Sequence, residues 1–128
     1  MRILLDTHTF IWWDTDPAKL SARALALCSD ASNQLVLSVG SVWEMAIKIQ
    51  LGKLRFAKPL AEMIADQQRT NQLELLSVHL AHALAVENLP PIHKDPFDRL
   101  LVAQAQIEGI TLVSRDPNLA GYPIQVEW

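Results

Sequence analysis

Cysteine occurs only once in these 128 residues, at Cys28. A lone thiol excludes an intrachain disulfide framework and a cysteine-rich zinc site. Cys28 falls in an alanine- and leucine-rich helical run and reads as an inert core thiol. Long apolar runs are missing as well. The opening Ile3-Leu4-Leu5 run stops at Asp6, far short of the roughly 18 apolar residues of a membrane span. No signal peptide is visible, and the cytosol is the expected compartment. Glycine is scarce, and Gly40 and Gly52 form no phosphate-binding loop. An excess of positive charge is also absent: the net charge is -3 and the pI about 5.7. Nucleic-acid binders usually present a basic surface, so the bulk balance speaks against one. That balance changes sign once four particular acids are set aside as metal ligands.

What is present suits a globular protein with a real core. Hydrophobic residues make up 50% and charged residues 20%, and the length predicts one domain over residues 1–128. Short apolar runs over 3–6, 34–38, 73–76 and 110–113 read as buried strands, with a fifth at 124–126. Helical stretches lie between them. One covers 8–13. Another starts at Asp16-Pro17, an Asp cap before Pro at the first helical position, and runs to about 29. Further helices are expected over 42–51 (ended by Gly52), 59–69, 78–87 (capped by Ser77) and 97–108 (ended by Gly109). Strands alternating with helices predict an α/β fold, a mostly parallel sheet covered by helices. The pair at 42–51 and 59–69 is expected to form a projecting helical hairpin. Nothing repeats internally and no low-complexity linker divides the chain.

Four acids stand where strands end or helices begin: Asp6, Glu44, Asp98 and Asp116. In an open α/β sheet those places share one crevice, and ligands bind there. Each acid also has a plain structural explanation. Asp6 is a polar stop or a cap for the next helix. Ser41-Val42-Trp43-Glu44 has the form of a capping box. Asp98 lies in a first helical turn, where the helix dipole favours negative charge. Asp116 precedes Pro117 in a turn. Together they would put four carboxylates on one edge, where they repel unless a cation holds them. An all-oxygen set suits Mg²⁺ or Mn²⁺ rather than zinc. Asp95, before Pro96, reads as the cap of the 97–108 helix. His8, His79, His82 and His93 show no metal spacing with cysteine, and structural or surface roles are expected for them. Trp12 and Trp13 are adjacent, so both cannot face one core; one is a candidate for a partner interface.

Taken together, these residues resemble a PIN-domain ribonuclease, specifically a VapC-type toxin of a toxin–antitoxin pair. The resemblance covers essentially the whole chain. It rests on Leu4-Leu5-Asp6-Thr7, on Ser38-Val39-Gly40-Ser41-Val42-Trp43-Glu44, on Leu112-Val113-Ser114-Arg115-Asp116, and above all on Asp95-Pro96-Phe97-Asp98-Arg99. The family commonly has Thr where this chain has Ser114, which keeps the hydroxyl. The resemblance implies a three-layer α/β/α sandwich and an acidic quartet of Asp6, Glu44, Asp98 and Asp116 around Mg²⁺. It further implies homodimerisation and an antitoxin whose C-terminal segment enters the groove.

The expected reaction is metal-dependent hydrolysis of single-stranded or loop RNA. Asp6 and Asp98 would be the main ligands, Asp116 a ligand directly or through water, and Glu44 a residue positioning the attacking water. Arg99, Arg115 and Lys94 are candidate phosphate contacts, or partners of the acids beside them. Two other classes remain open. One is a catalytically silent PIN-like binding module. The other is an Asp-based phosphotransfer domain using Asp6, although a phosphatase of that type would want Asp where His8 stands.

Overall fold

A computed structural model describes residues 1–128. Five strands form one sheet: β1 (Arg2–Leu5), β2 (Gln34–Ser38), β3 (Glu74–Leu76), β4 (Thr111–Val113) and β5 (Val126–Glu127). Six α-helices connect them: α1 (Thr7–Thr15), α2 (Ala22–Ser29), α3 (Val39–Gln50), α4 (Leu60–Asn71), α5 (Leu80–Ala85) and α6 (Pro96–Glu108). The strand order is β3-β2-β1-β4-β5 and every pairing is parallel. β1 is therefore central, with Leu5 opposite Leu37 on one side and Val113 on the other.

Side chains alternate across a strand, so β1 feeds two cores. Ile3 and Leu5 point to one face and join Leu35, Leu37 and Val113. Helices α1 to α4 close that face through Phe10, Ala24, Leu27, Met45 and Ile64. Leu4 points the other way and joins Val36, Leu76 and Leu112 under α6, whose Leu101, Val102 and Ala105 are buried. The result is a three-layer α/β/α sandwich. Because both faces are covered, its strands read as continuous apolar runs. The expected helical pair is α3 and α4. Both are anchored in the core by Met45, Met63 and Ile64, while Ile49 and Leu51 at the distal end of α3 are exposed.

Three local expectations need correction. The stretch 17–29 is not one helix. A 3-10 turn at Pro17–Lys19 gives way to extended backbone at Leu20 and Ser21, and the Ser21 hydroxyl then caps α2 by accepting from Ala24 N–H at 2.9 Å. Helix α3 starts three residues early, at Val39, because Ser38 rather than Ser41 is its cap; Ser38 Oγ accepts from Gly40 N–H at 3.0 Å. Ser41 is buried with its hydroxyl unpaired, so the Ser41–Glu44 capping box does not form. Helix α5 begins at Leu80, and His82 Nδ1, not Ser77, receives the entering N–H, that of His79.

The switch of direction in strand order lies between β1 and β4, where an open α/β sheet leaves a crevice beyond its strand ends. Gly40 helps to shape that crevice. A Cβ there would stand 2.8 Å from Leu100 Cδ2 and 3.2 Å from Ser38 Oγ, so glycine lets the start of α3 lie against α6. At the opposite end of α6, Gly109 takes a left-handed φ of 65° and terminates the helix.

Cys28 is buried against the α2 side of the core, and burial pushes its thiol up to about 11. Only the thiolate is nucleophilic. The native protein is therefore expected to resist iodoacetamide at pH 8, with stoichiometric labelling in guanidinium. This is read by intact mass before and after denaturation.

Candidate active site

Asp6 follows β1 and is almost fully buried. Its backbone N–H donates to the Val113 carbonyl at 3.1 Å, continuing the β1–β4 pairing. Its Oδ1 accepts from Thr9 N–H at 2.8 Å and caps α1. Its Oδ2 accepts from the Ser114 hydroxyl. That hydroxyl oxygen in turn accepts from Asp116 N–H at 3.1 Å. One serine thus ties the first acid to the last, across 110 residues of chain. Thr9 Oγ1 reinforces the seam by donating to the Val113 carbonyl at 3.0 Å.

Asp98 and Asp116 come together on the open side of Asp6. Asp95 caps α6, with Oδ1 accepting from Phe97 N–H at 2.8 Å and from Asp98 N–H at 3.3 Å. Asp98 then sits in the first turn and faces the other acids. Burial, followed by repulsion from Asp95, Asp6 and Glu44, pushes its carboxyl up to about 7, with only His93 pulling the other way. Asp116 behaves oppositely. Burial works against its ionisation, but Asn118 N–H at 2.9 Å and the His93 ring hold it below the usual carboxylate range. Two carboxyls in one cluster pushed in opposite directions are a common mark of a working site.

Glu44 is buried at the back of the cluster, and both its oxygens are engaged. Oε1 accepts from the Thr7 hydroxyl at 2.7 Å, and Oε2 pairs with Lys48 Nζ at 2.7 Å. Lys48 escaped sequence reasoning, although Glu44 and Lys48 have the four-residue spacing of a helical ion pair. Arg99 also departs from expectation. Its guanidinium donates to the carbonyls of Val86, Leu89, Pro90 and His93 and to the Tyr122 hydroxyl. These bonds make it a clamp on the loop before α6 rather than an open phosphate contact. Lys94 and Arg115 are both exposed, and Arg115 shares a cavity of about 370 Å³ with Asp6, Asp98 and Asp116. A larger hollow of about 450 Å³ near residues 49–60 contains no acid.

His93 is the residue the sequence reading passed over. Its Nε2 lies 2.6 Å from Asp116 Oδ2 and 3.3 Å from Asp98 Oδ2. One ligand-type atom from each of the three lies within 4.8 Å of the others. Nδ1, however, accepts the Asp95 backbone N–H at 3.0 Å. An imidazole nitrogen that accepts carries no proton, so the ring proton is on Nε2. His93 is then a donor to the carboxylates, and the ligating atoms left are oxygens. That donor set, in which burial and then the neighbouring acids raise Asp98, fits a hard divalent cation. The sequence signal for His93 was its place two residues before the Asp95 cap; nothing in residue type alone gives the tautomer. ¹⁵N NMR of the metal-free protein should find His93 protonated at Nε2 and bare at Nδ1. A proton on Nδ1 would contradict the assignment.

The PIN-domain family model matches residues 3–124, and the chain belongs to the PIN-domain family. It is 28% identical to Ribonuclease VapC22 of Mycobacterium tuberculosis over 121 residues, covering 94% of this chain and 91% of that protein. The fold matches VapBC2 from Rickettsia felis, solved bound to a DNA fragment from its promoter, with a TM-score of 0.72 at 14% identity, over 99% of this chain and 98% of that one. It also matches a toxin–antitoxin complex from Klebsiella pneumoniae, with a TM-score of 0.59 at 18% identity, over 98% of this chain and 96% of that one. No helix is long and apolar enough to cross a membrane.

Proposed function

We infer that residues 1–128 act as one PIN domain, a metal-dependent endoribonuclease and the toxin of a VapC-type toxin–antitoxin pair. The observation that carries this reading is the Asp6–Ser114–Asp116 link with Asp98 beside it. It gathers three carboxylates at the sheet's switch point, where a phosphodiester and a cation can meet. The kinship with proteins named VapC ribonucleases supports the same reading. The cation is Mg²⁺, with Mn²⁺ as a substitute. Asp98 and Asp116 would hold it on the open side, with Asp6 behind them. When bound, it supplies Lewis acidity and offsets phosphate charge.

The protein's own residues do the rest. Asp6 is fixed by Thr9 N–H and Ser114, so its carboxylate cannot rotate away. His93 donates to Asp116 and holds that carboxylate toward Asp98. Glu44 is fixed by the Thr7 hydroxyl and by Lys48, and would position the attacking water through the lone pairs that those bonds leave free. Arg115 and Lys94 are the exposed cations available to RNA phosphates. The partner class is a cognate antitoxin protein whose C-terminal segment enters the groove. The chain is a cytoplasmic homodimer. Exposed Trp43, Leu80 and Leu84 give apolar surface for such contacts.

Purified protein is expected to cleave single-stranded RNA with Mg²⁺ or Mn²⁺ and to stop with EDTA. Asp6→Asn and Asp98→Asn should each lower the rate by about 100-fold or more, the scale of losing a group that stabilises transition-state charge. Cleavage in EDTA, or undiminished cleavage by either variant, would sink this reading.

A further inference from the structure

The cavity holding the acids has a second wall that metal and phosphate chemistry does not explain. Besides Asp6, Asp98 and Asp116 it is lined by His8, Trp12, Arg115 and Pro117. Helix α1 creates this wall. Asp6 caps it, Thr9 and Phe10 turn into the protein, and His8 and Trp12, four residues apart, share the crevice side with ring centroids 5.7 Å apart. Trp128, the residue after β5, lies against Trp12 with ring centroids 6.0 Å apart and the planes tilted by 59°. The Arg115 guanidinium carbon stands 6.0 Å above the Trp12 ring. That is the outer limit of a cation–π contact, and Arg115 is exposed with no carboxylate partner.

A bare cation and a phosphate would need oxygens and positive charge, and the acids with Arg115 provide those. A half-buried indole beside a second indole, on the wall of a cavity of about 370 Å³, provides an aromatic surface next to the acids. Every nucleobase presents a π-face to such a surface. We propose that Trp12, flanked by His8 and Arg115, is a stacking subsite for the unpaired nucleobase next to the scissile phosphate. Arg115 moves from the indole to a phosphate as the base arrives. Single-stranded or loop RNA is then selected because a base held in a duplex stack cannot reach the indole. The inference rests on the nuclease reading and adds to it the structural reason for unpaired substrate.

Trp12 also packs against the core, so the test separates stacking from structure. An RNA oligonucleotide spanning a cleavage site mapped with the wild-type protein is prepared intact and with one abasic position at a time. Its binding with Mg²⁺ is measured in an Asp98→Asn background, with Trp12, Trp12→Phe and Trp12→Leu. Trp12→Leu keeps apolar bulk and loses the π-face. It is expected to weaken binding of the intact oligonucleotide by about tenfold, the scale of one lost base–aromatic stack, while Trp12→Phe retains most of it. At one abasic position beside the cleavage site, Trp12 and Trp12→Leu should bind equally. The proposal is overturned if Trp12→Leu binds the intact RNA as Trp12 does, or if it weakens every abasic oligonucleotide by the same factor. In either case the wild-type protein still cleaves, and the nuclease reading stands. If the wild-type protein neither binds nor cleaves RNA, both fall together.

Discussion

The Ser114 hydroxyl donates to the Asp6 carboxylate and accepts from the Asp116 backbone N–H, and the rest of the crevice is hung on that bridge. It forms because β1 and β4 are adjacent and parallel, with Leu5 beside Val113. One residue further along each strand the chain leaves the sheet, and Asp6 and Ser114 face each other. The apolar pairs on both sides of the sheet fix this register. Slipping β4 by one residue would turn Leu112 and Val113 to the wrong faces and carry Ser114 away from Asp6.

That bridge forces carboxylates together at a cost that the fold meets unevenly. Asp6, Asp116 and Glu44 each receive hydrogen bonds or a cation from the protein itself. Asp98 receives only its distant contact with His93, and its raised pKa records the shortfall. The unmet charge is concentrated on the side of the cluster that opens into the cavity. A cation bound there would relieve it, and a phosphate bound to the cation would lie between the acids and the Trp12 wall. Strain of this kind, held at a functional site and sustained by a well-packed scaffold, is common in enzymes.

Much of the fold was legible in the sequence because buried parallel strands are short apolar runs with abrupt polar ends. Gln34–Ser38 is bounded as the sequence suggests, and the Asp95-Pro96 start and Gly109 stop of α6 are local signals that tertiary contacts did not override. The four acids were legible for the same reason, as each marks an end. The errors came where two local signals competed. Ser38 and Ser41 both look like caps, and only the approach of α3 to α6 at Gly40 decides between them. Asp16-Pro17 starts a turn, but Ser21 offers a better cap and splits the helix. Arg99 looked like a phosphate ligand beside an acid, yet the carbonyls of Val86, Leu89, Pro90 and His93 lay within its reach. The tautomer of His93 could not have been read from sequence, since it depends on which ring nitrogen meets the Asp95 N–H.

Asp98 is undercompensated until a cation arrives, and its carboxyl ionises reluctantly without one. Calorimetric melting of the wild-type protein and of Asp98→Asn, with and without Mn²⁺, tests this most directly. At pH 8, where Asp98 is mostly ionised, and without metal, Asp98→Asn should melt above the wild type, because a neutral amide is buried beside the other acids at lower cost. Saturating Mn²⁺ should raise the wild-type Tm by about 5 °C or more and move Asp98→Asn far less. A wild-type Tm indifferent to Mn²⁺, with Asp98→Asn no more stable than the wild type, would contradict the account.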